Sequence, residues 1–163
     1  MADLTPVPTE TNASRSSIAL VFLLSGGILT LFALNQFAFG PLLEKSAGPR
    51  AAQMVYVVVR VAGLVGLAYG LASDSKNGAK RNRYQTLSTV IFVGFLDQVF
   101  LKGLWVKQDM LVHPEAWVGF EPSNASIFLT LAMGYLVFTP MILILAFFGM
   151  EATRFRRDWK AQA

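Results

Sequence analysis

The chain contains no cysteine and only one histidine, and 15% of its residues are charged. Without cysteine there are no disulfide staples, thiolate metal sites, iron–sulfur ligands or cysteine nucleophiles, and the redox compartment is left open. With His113 alone, bis-histidine haem ligation and histidine-rich metal cages are excluded. Asp109, His113 and Glu115 lie close in sequence but lack the spacing of a metal site. Neither a metal nor any other cofactor is expected. Phosphate loop, nucleophile elbow and H-E-x-x-H are missing too, and no basic–aromatic interleaving points to nucleic acid.

What the chain has is apolar length. Its 163 residues are 54% hydrophobic, too apolar for a soluble domain of that size. A helix crosses a bilayer core with about 20 apolar residues, and four stretches reach that length: 18–43, 52–72, 84–105 and 126–150. The expected fold is an all-α membrane protein, a bundle of four transmembrane helices occupying residues 17–152. Residues 1–16, with Pro6 and Pro8, read as a disordered tail, and 153–163 as a basic tail. Gly40-Pro41 and Gly48-Pro49 punctuate the first connection, and Ser123 or Asn124 caps the fourth helix. Thr139-Pro140 falls within the fourth stretch, where proline removes a helix hydrogen bond.

Lysine and arginine set the orientation. Arg15, Lys76, Lys80, Arg81, Arg83, Arg154, Arg156, Arg157 and Lys160 fall on one side, against Lys45, Arg50 and Lys107 on the other. Both termini are therefore expected in the cytoplasm. The third connection carries Asp109, Glu115 and Glu121, and Trp105, Trp117 and Phe120 have the character of interfacial anchors. The expected location is an integral, multi-pass position in a plasma or inner membrane or in the endoplasmic reticulum, with membrane lipids as immediate partners.

Against this apolar background, Arg60 and Asp97 stand inside separate spans, where an unpaired charge is expensive and usually marks function. At about 1.5 Å per residue, Asn35, Gln36, Arg60, Asp97, Gln98 and Tyr135 all reach one layer, roughly 11–14 Å from the far ends of their helices. Arg60, Gly63, Leu67 and Gly70 recur at spacings of three and four, so the arginine should face protein. Gly94, Asp97 and Leu101 form the matching stripe on the third helix, and Lys102 can snorkel toward headgroups. A frame L-[ND]-Q-x5-L-x2-K relates Leu34–Lys45 to Leu96–Lys107. If it marks duplication, the bundle is two parallel hairpin repeats with a site expected between them.

Around Arg60-Val61-Ala62-Gly63, Gly66 and Gly94-Phe95-Leu96-Asp97, the chain resembles uncharacterised small four-helix membrane proteins of fungi and bacteria. These carry arginine followed by glycine on helix two and aspartate on helix three, and the similarity spans about Tyr56 to Lys102. The fourth helix lacks their histidine-glycine start. The resemblance implies the four-helix topology and prominence of Arg60 and Asp97, but no reaction. Fungal relatives of similar size occur among biosynthetic proteins, which brings small-molecule metabolism into view.

Three functions fit these residues. Asn35, Gln36, Arg60, Asp97, Gln98 and Tyr135 can line a polar pocket that binds or handles a small, largely apolar molecule in an accessory or biosynthetic role. Asp97 and Arg60 can instead be catalytic, one as acid or base and the other as anion stabiliser, in a cofactor-independent enzyme. Or the pair is a clamp in a structural or assembly subunit of a membrane complex. Gly66 and Gly70 offer a face for a homodimer or a larger complex.

Overall fold

A computed structural model describes residues 10–73, 83–119 and 122–162 of the chain. Six α-helices carry it: α1 (Glu10–Leu34), α2 (Gly40–Ala47), α3 (Pro49–Ser73), α4 (Arg83–Phe95), α5 (Lys102–Val112) and α6 (Asn124–Gln162). Two π-helical segments, Asn35–Phe39 and Leu96–Leu101, join α1 to α2 and α4 to α5 without a break. A short 3-10 turn, Pro114–Trp117, precedes α6, and no strand occurs among the described residues. The result is four spans, Ile18–Ala47, Pro49–Ser73, Arg83–Val112 and Asn124–Gln162, each long and apolar enough to cross a membrane. The protein is an all-α, four-helix, multi-pass membrane bundle.

Several boundaries differ from the sequence reading, each for a local reason. Gly40-Pro41 is not part of a connection, because the chain stays helical through it. Proline has no N–H to donate and crowds the preceding turn, and here it occupies the first turn of α2 directly after a π-segment. Gly40 bonds its N–H to the Asn35 carbonyl, and a Cβ there would come 2.8 Å from that oxygen, so only glycine fits. The actual break is one residue, Gly48, whose φ of +87° is open to glycine but not to side chains of L residues. Pro49 then begins α3, a position that needs no N–H partner.

The third span continues helically to Val112, past the expected end at Trp105. In the first span the helix begins at Glu10, so residues 10–16 are helical backbone; 1–9 lie outside the described residues. At the basic end α6 runs on to Gln162, so residues 153–162 are helical as well. Ser123 caps α6, its hydroxyl accepting the Ser126 N–H at 3.2 Å. Pro140 sits inside α6, and beside it the Thr139 hydroxyl donates to the Tyr135 carbonyl at 3.0 Å. Lys76, Lys80, Arg81, Phe120 and Glu121 lie outside the described residues.

Lipid tails are as apolar as leucine, so helices associate in a bilayer through close packing and polar contacts rather than exclusion from water. The glycines show where packing dominates. A Cβ on Gly149 of α6 would lie 2.5 Å from the Val65 carbonyl and 2.8 Å from the Ala68 side chain, which places the α3–α6 crossing there. On α3, Gly63 receives the Phe32 ring and Gly70 the Leu24 side chain. Leu67, Ala68, Leu71, Val90, Val93, Ile142 and Ala146 complete the core. The expected inward stripe on α3 is therefore present. Gly66 meets nothing within 4 Å and belongs to the outer surface.

Candidate functional site

The polar layer assembles where the first three spans meet. Arg60, 6% exposed, extends from the middle of α3 toward the second π-segment, which carries Asp97, 2% exposed. Its Nε donates to Asp97 Oδ2 at 2.7 Å and its Nη2 to Oδ1 at 2.9 Å. This side-on, two-bond geometry fits the planar guanidinium to a carboxylate, which a lysine would not match. Nη2 also donates to Gln36 Oε1 at 2.8 Å, and Gln98 Nε2 donates to Asp97 Oδ2 at 3.0 Å. One network thus ties α3 to both π-segments.

The π-segments explain how these residues reach the centre. A π-turn inserts an extra residue into a helix, widens it locally and re-aims the side chains, and such turns concentrate at functional sites. Here one holds Asn35 and Gln36 and the other Asp97 and Gln98. The two segments also fall within the repeated frame L-[ND]-Q, at nearly equivalent positions. Pro41 supplies a local cause for the first. For the second no proline is present, and the Lys102 N–H bonds back to the Asp97 carbonyl.

Above Arg60, one helical turn nearer the Gly48 end, Tyr56 lays its ring against the guanidinium, with Arg60 Cζ 3.2 Å from the ring centroid. Phe32 approaches from another side at 5.3 Å. Aromatic faces carry negative charge density, so both help to hold the cation in an apolar medium. Even so, the layer is not saturated. Arg60 Nη1, Asn35 Nδ2 and the Tyr56 hydroxyl are buried without a hydrogen-bond partner among the described residues. A buried donor left unmade costs about 1–3 kcal/mol, and more when it is charged.

A cavity of about 610 Å³ opens onto this layer. Its floor is Asn35, Gln36, Arg60, Asp97 and Gln98, with Tyr56 on the wall. Toward the Gly48 end it passes Glu44, Pro49, Gln53, Lys102 and Trp105; on the α6 side it is lined by Phe138, Met141, Ile142 and Leu145. Volumes of 300–1,000 Å³ are usual for sites that hold drug-sized molecules.

The structure brings together Asn35, Gln36, Arg60, Asp97 and Gln98, as the depth argument expected, but leaves Tyr135 out. Tyr135 is buried between helices, its hydroxyl donating to the Ile91 carbonyl and its ring edge-on to Phe95. Equal depth did not mean equal direction. Tyr135 reaches the flank of α4, and Gly94 touches its ring. Lys102, expected to be able to snorkel toward headgroups, is half-buried and lines the cavity.

Sequence reasoning also passed over Tyr56, although its position four residues before Arg60 puts both side chains on one helix face. Glu44 and Gln53 carried no comparable signal. Elsewhere, Asp109 accepts the Trp117 indole N–H at 3.1 Å and His113 lies 3.4 Å from Glu115. No cluster of three or more potential metal ligands occurs among the described residues. No family model, curated protein or solved structure matches the chain, so the case for the site rests on this geometry.

Proposed function

We propose that this protein is a membrane-embedded binding protein that holds a small, largely apolar molecule in the cavity between its helices, with the Arg60–Asp97 layer at the molecule's polar end. The role is accessory or biosynthetic: to carry, store or present that molecule. The supporting observation is an apolar cavity whose floor combines a buried ion pair with unpartnered buried donors. A layer built only to lock helices gains nothing from donors left open, since each lowers its stability.

Native mass spectrometry of the purified protein tests this reading. A small molecule retained by the parent and lost in Asp97→Asn, with the fold intact by circular dichroism, is the expected result; a bare parent chain after extraction in mild detergent counts against it.

A structural clamp in a membrane complex is the second reading, favoured by Asp97 receiving three N–H donors. The double change Arg60→Met with Asp97→Leu separates the two. Replacing a buried pair by apolar side chains is often neutral for stability, so a clamp survives it and a binding site does not. Acid–base catalysis by Asp97 draws less support, because both of its oxygens are already engaged by the Arg60 and Gln98 side chains.

A further inference from the structure

The unpartnered atoms in the cavity floor have a chemical sense. Arg60 has five N–H bonds; Nε and Nη2 are engaged, and Nη1 is not. Asn35, 5% exposed, leaves its Nδ2 open as well. Both groups only donate, and both belong to side chains that line the cavity. Of the oxygens nearest to them, Asp97 Oδ2 already receives two N–H bonds, Oδ1 one, and Gln36 Oε1 one. What these two donors lack is an acceptor.

Charge narrows the class further. Four ionisable carboxylate, guanidinium or ammonium side chains line the cavity: Glu44 and Asp97 negative, Arg60 and Lys102 positive. They cancel, and Arg60 is already neutralised by direct contact with Asp97. An anion would meet Asp97 at the floor with no surplus positive charge, in a medium where an unbalanced charge is costly. A cationic headgroup, itself a donor, would leave Arg60 Nη1 and Asn35 Nδ2 unpaired. One side of the wall is apolar: Val57, Phe138 and Met141 line the cavity and are also exposed on the lipid-facing surface of the bundle. A molecule dissolved in the bilayer therefore meets the cavity from the side.

Resting on the proposed binding role, we infer that the ligand is an uncharged, lipid-soluble molecule that presents a carbonyl oxygen to Arg60 Nη1 and Asn35 Nδ2. A ketone or quinone free in the bilayer and an ester carbonyl of a glycerolipid share this chemistry. Tyr56 is the cover over that contact. Its ring lies on the guanidinium, so swinging it toward the Gly48 end uncovers that face of Arg60.

The test uses the full chain in detergent, with Trp117→Phe and Trp159→Phe so that the fluorescence of Trp105, in the cavity wall, reports occupancy. Four probes share a twelve-carbon chain: 2-dodecanone, dodecane, dodecanoate and dodecylamine. The expected result is that 2-dodecanone binds at least tenfold tighter than each of the others. Asn35→Leu should weaken 2-dodecanone by about tenfold while leaving thermal stability unchanged or raised, whereas a purely structural Asn35 would lose stability.

A retained glycerolipid released by 2-dodecanone assigns the carbonyl to a lipid ester; binding with no lipid released assigns it to a free ketone or quinone. Dodecane equal to 2-dodecanone, or dodecanoate or dodecylamine binding as tightly, overturns the carbonyl assignment and leaves the binding role standing. No response to any probe, together with no molecule retained in native mass spectrometry, overturns both.

Discussion

The two ends of the bundle are built on different principles. At the end where α6 crosses α3, Gly149 lets backbone meet backbone, and Leu67, Ala68, Leu71 and Ala146 fill the remaining space. At the Gly48 end the helices are held by hydrogen bonds among Gln36, Arg60, Asp97 and Gln98, and a cavity remains between them. Close packing is stiff because it leaves no alternative arrangement. Polar contacts across a gap hold direction but leave volume. A membrane protein that must both persist and admit a guest can divide the tasks in this way.

Substitutions can break that contrast. The largest effect belongs to Arg60→Met alone, which leaves Asp97 buried without its cation; a loss of about 3–5 kcal/mol is expected, read from thermal or denaturant unfolding in detergent. Adding Asp97→Leu should recover most of it, and a double variant as unstable as the single one would show that the pair itself is needed for folding. Gly149→Ala comes next. Its Cβ has backbone on one side and Ala68 on the other, so α6 must move, at about 1–3 kcal/mol by analogy with overpacked cores. If that variant also loses ligand, the two ends are mechanically coupled.

Tyr135→Phe removes the hydrogen bond to the Ile91 carbonyl while keeping the ring, and about 1 kcal/mol is expected. Ligand binding should not change, because Tyr135 stands outside the cavity. The smallest effect is Gly66→Ala, whose new methyl group meets nothing within 4 Å. Relief of backbone entropy should make it about 0.5–1 kcal/mol more stable. A drop instead, with a change in mass by light scattering, would reveal a second copy packed on that face.

Much of the fold was readable from the sequence because its signals are long. Four apolar runs of bilayer length outweigh any local ambiguity, and the stripe Arg60, Gly63, Leu67 faces inward as spacing alone required. The pairing of Arg60 with Asp97 was legible for the same reason, since two opposite charges in an apolar medium have few other ways to be satisfied. The rest was hidden by the π-segments. Counting at 1.5 Å and 100° per residue assumes a uniform helix, and one extra residue in a turn shifts everything beyond it. Tyr135 failed differently. Its depth was right, but a hydroxyl near a polar layer can be satisfied by any nearby carbonyl, and helix α4 offered one.

The one-residue link at Gly48 also bears on how the chain is made. Helices joined so tightly must enter the membrane together, as a hairpin, and that hairpin contains both Gln36 and Arg60. Asp97 follows 37 residues after Arg60, a delay of about 2–7 s at typical synthesis rates of 5–20 residues per second. Of the oxygens that Arg60 bonds in the finished bundle, Gln36 Oε1 is thus made first and the Asp97 carboxylate last.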